Sequence, residues 1–457
     1  MTLSVKQQLV LVLGLGESGM ATVRWLKAHG ANVRVADTRQ THANVETIQQ
    51  TWPDIDVFMG EFDQAIFEEV AFAVLSPGIP LNTPAIQRAI NDGLQVVGDV
   101  ELFAQYRSPN AKVIGITGAN GKTTVTTLVG EMCKAAGLKT VVAGNIGLPV
   151  LEALMMDVPD VYVLELSSFQ LETTSSLVLD VATMLNLSED HMDRYETFQD
   201  YAIAKARIFY QAKCQVLNRD DAWSMLMLRP KLKQITFGLS TETVDAHDFS
   251  LIEQDGALWL GESNQPLMNI ASLQLTGLHN ASNALAAMAL CRQIGIEHPP
   301  ILQTLYAFKG LPHRVEWVAN VDEVDYFDDS KGTNVGATCA AIAGFNQPIV
   351  LIAGGDGKGQ DFKPLADVVK GKVKTIVLIG KDASLIESTL IETEIPIYRA
   401  IDLSEAVNIA KKMAKAGDAV LLSPACASVD MFRNYVHRAE VFVAAVHQLK
   451  QSAEAVL

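Results

Sequence analysis

Cysteine is scarce in this chain: five residues in 457, at Cys133, Cys214, Cys291, Cys339 and Cys426. They are far apart and odd in number, and no two stand in CxxC spacing. That excludes a disulfide framework and predicts buried free thiols in a reducing compartment. Positive charge is also short, with 36 Lys and Arg against 52 Asp and Glu, a formal net charge of -16. The deficit argues against a nucleic-acid partner, which would want a basic face. It also means that a few local cations must hold any anionic substrate against an unfavourable field. No uninterrupted apolar run reaches about 18 residues, so no membrane span is expected. The first apolar run, Leu9 to Leu15, is short and leads into a glycine-rich turn, unlike a signal peptide. Repeats of about 20–50 residues and low-complexity tracts are missing too.

What is present is apolar and patterned. Hydrophobic residues make up 49% and charged residues 19%, a composition able to fold throughout. The length suggests two to four domains. Three segments each open on a buried-strand pattern followed by glycine. These are Leu9–Leu13 into Gly14, Lys112–Ile116 into Gly118, and Pro348–Ile352 into Gly354, the last with a further strand at Thr375–Ile379. Short apolar runs alternating with helical patterns predict parallel α/β sheets. Linkers are expected at Tyr106–Asn110 and around Gly310–Pro312. The patchy stretch from Phe237 to Leu275 reads as a few antiparallel strands added to the middle domain.

Gly14-Leu-Gly16-Glu-Ser-Gly19 is GxGxxG between a strand and a helical run, and a second strand, Ala31 to Ala36, ends in Asp37. This is a dinucleotide fingerprint: the glycines admit a pyrophosphate to a helix N-terminus and the acid meets a ribose hydroxyl. Alone it fits a nicotinamide-dependent oxidoreductase. It fits a UDP-sugar equally well, because both present a pyrophosphate. Ser76-Pro77-Gly78, after the strand Phe72 to Leu75, reads either as another ligand loop or as an ordinary turn.

Gly118-Ala119-Asn120-Gly121-Lys122-Thr123-Thr124 follows a strand and opens a helix. Such a loop cradles phosphates on its N–H groups, with Lys122 reaching the β/γ-phosphates and Thr123 able to ligate Mg²⁺. Gly115 lies one place too far upstream for the general GxxxxGK[ST] pattern. Glu165 closes the strand Val161–Leu164, where an acid beside a phosphate loop can contact Mg²⁺; a capping acid is the alternative. The polar cluster Ser188–Tyr195 holds His191 among acids, which favours a functional over a structural histidine. Lys205, in the helical stretch Tyr201 to Tyr210, would ordinarily be a solvated lysine.

These motifs recur in order with others: Glu165-Leu-Ser-Ser-Phe-Gln170, His279–Asn283, Leu311–Arg314, Asp328–Asn334, Gly354–Lys358 and Ser423–Ser428. In that order the whole chain resembles the Mur ligases. The Asp-Ser-Lys-x-Thr-Asn pattern at Asp329–Asn334, with Ser-Pro-Ala-Cys-Ala-Ser at Ser423–Ser428, is similar to the D-glutamate-adding branch. The diaminopimelate- or lysine-adding branches would show a DNPR-type signature, absent here. Folylpolyglutamate synthase shares the ATP domain without this C-terminal pattern.

The resemblance implies an α/β protein of three domains. Residues 1–107 would be a Rossmann-like domain for the UDP-substrate, and 108–310 a central P-loop ATPase-like domain with the antiparallel addition. Residues 311–457 would be a C-terminal Rossmann-like domain for the amino acid, closing over the site. It implies ATP-dependent joining of D-glutamate to UDP-N-acetylmuramoyl-L-alanine in cytoplasmic peptidoglycan precursor synthesis, by a monomer. Glu17, Ser18, Asp37, Thr38, Arg39, Ser76, Pro77, Gly78 and Asn145 would meet the UDP-substrate. Gly118 to Thr124, Asn280, Asn283, Arg314 and Asp329 would meet ATP, with Asn283 nearer the adenine. Thr123 and Glu165 would hold one Mg²⁺, and His191 with a carbamylated Lys205 a second. Lys122, His191, Lys205 and Lys331 would serve catalysis. Thr333, Lys358, Ser428 and Tyr435 would line the D-glutamate pocket, although Phe is expected where Tyr435 stands. Ala119 and Thr123 replace the more common Ser, with no functional group lost. The rival readings are the oxidoreductase and a regulatory nucleotide-binding module. Acceptor-dependent phosphate release, against a change in nicotinamide absorbance, separates them.

Overall fold

The computed structural model describes residues 3–241, 248–275 and 277–454. Its apolar runs form three sheets. In the first, β1 (Leu9–Leu13), β2 (Asn32–Asp37), β3 (Asp56–Met59), β4 (Phe72–Leu75) and β5 (Val96–Gly98) pair in parallel, in the order β3-β2-β1-β4-β5. Val10 to Leu13 are fully buried, as expected of a parallel strand covered on both faces. The chain moves to one side of β1 with β2 and to the other with β4. That reversal opens a crevice at the carboxyl ends of β1 and β4, where Gly14–Gly19 and Ser76–Gly78 lie.

The second sheet comprises β6 (Lys112–Thr117), β7 (Thr140–Gly144), β8 (Val161–Glu165), β9 (Val181–Met184), β10 (Cys214–Asn218), β11 (Lys233–Gly238), β12 (Phe249–Gln254), β13 (Ala257–Glu262) and β14 (Gln265–Asn269). Its order is β14-β13-β12-β11-β10-β9-β6-β8-β7. Strands from β7 across to β12 pair in parallel, and β12 to β14 form two antiparallel hairpins. The expected antiparallel addition is therefore an extension of the central sheet's own edge. Its turns, Asp255-Gly256 and Ser263-Asn264, take positive φ at both residues, the twist that two-residue hairpins need. Residues 242–247 of the stretch read as this addition lie outside the described residues, as do residues 1–2 and 455–457 of the expected terminal domains.

The third sheet holds β15 (Glu316–Val321), β16 (Val324–Asp328), β17 (Ile349–Gly354), β18 (Val373–Ile379), β19 (Ile397–Arg399) and β20 (Ala419–Leu422), in the order β15-β16-β20-β17-β18-β19. Only the β15–β16 pair is antiparallel. Successive β17 residues serve opposite faces. Ile349, Leu351 and Ala353 pack with Leu365 and Ile386, while Val350 and Ile352 pack with Leu403, Phe442 and Val446. A period of two in side-chain direction makes the strand apolar without interruption.

Two compact units result. Residues 1–186, 199–269 and 283–305 carry the first two sheets, and residues 187–198, 270–282 and 306–457 carry the third. Within the first unit, Glu101 ties the first sheet's layer to the second's. It is buried, and its Oε2 accepts the N–H groups of Ser175 at 2.6 Å and Ser176 at 2.9 Å. Phe103 meets Tyr162 edge-on, 5.0 Å between centroids, and Arg107 donates to the Val178 carbonyl at 3.1 Å. All five cysteines are free, four of them buried. Among the described residues no helix is long and apolar enough to cross a membrane.

Asp99 opens the helix Asp99–Tyr106 just after β5 and is buried. Burial pushes its carboxyl up to about 6, and the Val100 N–H only partly offsets this. In the unfolded chain it ionises near 3.8, so folding becomes less favourable as pH rises through the window between the two values. Asp99→Asn mimics the protonated form. It should gain on the order of 2 kcal/mol at pH 7, with the gain fading towards pH 4. Urea denaturation across that range checks it; a pH-independent difference contradicts the assignment.

Candidate active site

In the first unit the glycine-rich turn after β1 is built for close approach. A Cβ on Gly19 would stand 1.8 Å from the Gly14 carbonyl oxygen, whereas one on Gly16 would meet nothing within 4 Å. Gly19 thus lets the helix Glu17–Ala28 pack onto the strand, and Gly16 leaves room for a ligand. The Ser76 hydroxyl donates to the Gly14 carbonyl at 3.1 Å, so the two strand-end loops are joined. Asp37 does more than await a ribose. Its Oδ2 accepts the Leu15 N–H at 2.7 Å, and its Oδ1 accepts the backbone N–H and Nε of Arg39 at 3.0 and 2.7 Å. Burial opposes its ionisation, but these hydrogen bonds and the Arg39 charge outweigh burial and hold it at about 2. Thr38 and Arg39 are exposed beside it.

The phosphate loop follows β6 and leads into the helix Lys122–Ala135. Gly121 takes φ 81°, and a Cβ there would come within 2.4 Å of Asn283 Oδ1, so the Asn283 carboxamide lies against this loop. Asn186, just past β9, staples it. The Asn186 carbonyl accepts the Ala119 N–H at 2.8 Å, its Oδ1 accepts the Asn120 N–H at 2.8 Å, and its Nδ2 donates to the Asn120 carbonyl at 3.1 Å. Lys122 Nζ donates to the Gly118 and Ala119 carbonyls at 2.7 and 2.8 Å. A triphosphate would offer that ammonium charged oxygens in exchange for neutral ones.

Glu165 ends β8, the neighbour of β6, and is buried. Its Oε1 accepts from Asn145 Nδ2 at 2.8 Å. Its Oε2 is buried with no hydrogen-bond partner among the described residues. A lone carboxylate oxygen in the interior is costly unless a cation takes it, so the corner fits a Mg²⁺ ligand set, with Thr123 opening the adjacent helix. Asn145, expected to meet the UDP-substrate, also orients that acid. Lys205 departs from the ordinary solvated lysine. It is 2% exposed, donates to the Gly118 carbonyl at 2.9 Å, and lies 4.8 Å over the Tyr201 ring.

In the second unit the loop after β16 carries Asp329, Lys331 and Thr333. Asp329 Oδ2 accepts from the Ser423 hydroxyl at 2.7 Å. Burial pushes this carboxyl up to about 7, with Ser423 and the Arg314 charge pulling the other way. Arg314 Nε is buried without a hydrogen-bond partner among the described residues. Lys358 pairs with Asp190 of the Ser188–Tyr195 cluster, and the Asp193 N–H donates to the Lys358 carbonyl at 3.2 Å. The cluster is therefore hung on the Gly354–Lys358 loop. His191, φ 60°, has Nε2 3.6 Å from Asp190 Oδ2. Ser428 is buried, in the loop after β20. Asn280 and Asn283 share the helix Leu278–Gln293. His313, Glu316 and Asp328 bring three donor atoms within 4.8 Å of one another. His313 Nδ1 already meets Asp328 Oδ2 at 2.7 Å, and Glu316 takes the His313 N–H at 2.8 Å, so this group is accounted for without a cation.

Comparison with known proteins matches most of the chain to three domain models. Residues 8–98 match the "Mur ligase MurD-like, N-terminal domain", 116–291 the "Mur ligase middle domain" and 313–426 the "Mur ligase, glutamate ligase domain". A UDP-N-acetylmuramoylalanine–D-glutamate ligase of Methylobacillus flagellatus is 57% identical over 98% of this chain and 99% of its own length. A protein of the same name from Nitrosomonas eutropha is 48% identical over 96% of each chain. The chain belongs to the Mur ligase family. The Mur ligase fold is seen again in a UDP-N-acetylmuramate–alanine ligase of Thermotoga maritima. It has a TM-score of 0.61 at 18% identity, covering 97% of this chain and all of that one.

Sequence reasoning missed several residues that shape this Mur ligase site. Asn186 offered only a polar residue at the end of an apolar run. Ser423 and Ser330 stood inside quoted motifs without a role of their own, and Arg438 gave no local signal, because their partners lie far away in the chain. The Glu165 corner generates a direct test. Glu165→Gln keeps the Asn145 contact available and removes the charge. ATP binding by calorimetry should then lose most of its Mg²⁺ dependence, weakening at least tenfold with Mg²⁺ present. Unchanged Mg²⁺ dependence would remove Glu165 from the metal site.

Proposed function

We propose that this chain joins D-glutamate to the L-alanyl carboxylate of UDP-N-acetylmuramoyl-L-alanine, converting ATP to ADP and phosphate. The observation that carries the reading is identity of 57% along almost the whole chain to a ligase of that name. A carboxylate and an amine do not condense in water, because the oxygen that must leave is a poor leaving group. The alanyl carboxylate oxygen attacks the γ-phosphorus, ADP departs, and an acyl phosphate forms. The unprotonated amine of D-glutamate attacks the acyl carbon, giving a tetrahedral intermediate that expels phosphate and loses the amine proton. The centre gathers negative charge throughout, so the protein's part is positioning and electrostatics.

Roles follow in the three-domain division at 1–107, 108–310 and 311–457. Gly118 to Thr124 cradle the phosphates, with Lys122 transferring its ammonium from loop carbonyls to the β/γ-oxygens. Asn280, Asn283, Arg314 and Asp329 hold the rest of the nucleotide, and the buried Arg314 Nε supports that role. Mg²⁺, when bound, neutralises phosphate charge. Thr123 and Glu165 are the proposed ligands of one ion, and His191 with a carbamylated Lys205 of a second. Glu17, Ser18, Asp37 to Arg39, Ser76 to Gly78 and Asn145 bind the UDP-substrate. Lys331 offsets charge at the reacting carbonyl, and Thr333, Lys358, Ser428 and Tyr435 take D-glutamate. Asp190 pairs with the Lys358 ammonium. We place this reaction in the cytoplasm and read the chain as a monomer.

Phosphate release with ATP and UDP-N-acetylmuramoyl-L-alanine should require D-glutamate and fail with L-glutamate, lysine or diaminopimelate. Release independent of the amino acid would overturn the reading. Lys358→Ala and Thr333→Val should raise the KM for D-glutamate at least tenfold and leave that for ATP within about twofold, since one charged contact is lost. Lys205→Ala should be nearly inactive and partly rescued by acetate, which supplies the hard oxygen donors of a carbamate. Full activity without acetate would exclude the modification.

A further inference from the structure

Tyr435 stands where the resemblance leads one to expect Phe, and its extra atom is engaged. Lys331 Nζ donates to the Tyr435 hydroxyl at 3.0 Å, and the same ammonium lies 4.2 Å from the Tyr435 ring centroid. One side chain thus offers Lys331 both an oxygen lone pair and an aromatic face. A lysine stem is long and flexible, and two contacts from one rigid ring remove much of that freedom.

The ring is itself held. Tyr435 opens the helix Tyr435–Glu454, and its carbonyl accepts from the Ser330 hydroxyl at 2.7 Å. One turn on, Arg438 is fully buried. It donates from Nε to Ser330 Oγ at 3.0 Å, from Nη2 to the Ser330 carbonyl at 2.8 Å, and from Nη1 to the Cys426 carbonyl at 3.0 Å. Ser330 is the neighbour of Lys331 in the chain. The lysine is therefore tied to one helical turn twice, through its backbone neighbour and through its ammonium. His313 meets the Tyr435 ring edge-on at 6.2 Å between centroids.

From this geometry we infer that the Tyr435 hydroxyl is a positioning group for the Lys331 ammonium, aiming it for the charge that develops during ligation. The inference rests on the ligase reading above. Phe at this position keeps the aromatic face and the shape and loses only the hydroxyl, so Tyr435→Phe isolates the contact. The full-length chain, Tyr435→Phe, Lys331→Ala and the double variant are compared in steady-state ligation. Tyr435→Phe should lower kcat about tenfold, the scale of one hydrogen bond to a charged group, with the KM for ATP unchanged. In the Lys331→Ala background it should cost nothing further. A second readout needs no turnover. Acetylation of Lys331 by acetic anhydride, followed by peptide mass spectrometry, should quicken several-fold in Tyr435→Phe. Equal losses in both backgrounds, an unchanged kcat, or unchanged acetylation overturns the positioning role while the wild-type chain still ligates D-glutamate. A wild-type chain that does not ligate it overturns the ligase reading and this inference together.

Discussion

A parallel sheet brings the carboxyl ends of its strands to one edge, and the chemistry of this molecule depends on that constraint. The loops after β1 and β4, those after β6, β8 and β9, and those after β16, β17 and β20 all leave such edges. Each carries its glycines, acids and lysines there because the strands themselves are buried on both faces and have no room for them. In each sheet, residues far apart in the chain meet by sharing an edge. Asn186 reaches the phosphate loop because β9 pairs with β6, and Ser423 reaches Asp329 because β20 pairs with β16.

A chain of net charge -16 must hold anionic substrates with a few local cations. Three of its lysines have partners of different strength. Lys122 rests on backbone carbonyls, Lys331 on a phenol, and Lys358 on the acid Asp190. A phosphate or carboxylate offers a stronger hydrogen bond than a carbonyl or phenol does. Glu165 Oε2 is the converse case: a buried carboxylate oxygen without a hydrogen-bond partner among the described residues, which a cation would relieve.

Much of this was legible beforehand. The strands β1, β6, β17 and β18 follow from apolar runs, and the phosphate loop follows from glycine and lysine spacing between a strand and a helix. The antiparallel edge was legible from the patchy pattern of its stretch, although its continuity with the central sheet was not. The ring hydroxyl of Tyr435 was visible only as a departure from Phe. The burial of Lys205 ran against its local pattern, because a lysine in a helical stretch reads as solvated until the loop that covers it is known.

The sequence by itself determined which segments become strands, which glycines end them, and which family of chemistry the loops resemble. These are local properties, set by side-chain periodicity and by backbone freedom over a few residues. Only the tertiary structure decided that Asn186 clamps the phosphate loop, that Asp37 braces the glycine turn through Leu15, that Glu165 keeps one oxygen bare, and that Arg438 and Tyr435 anchor the Lys331 loop. Those contacts span tens to more than a hundred residues of chain. They exist because strand pairing and burial bring distant polar groups together where each must find a partner or cost stability.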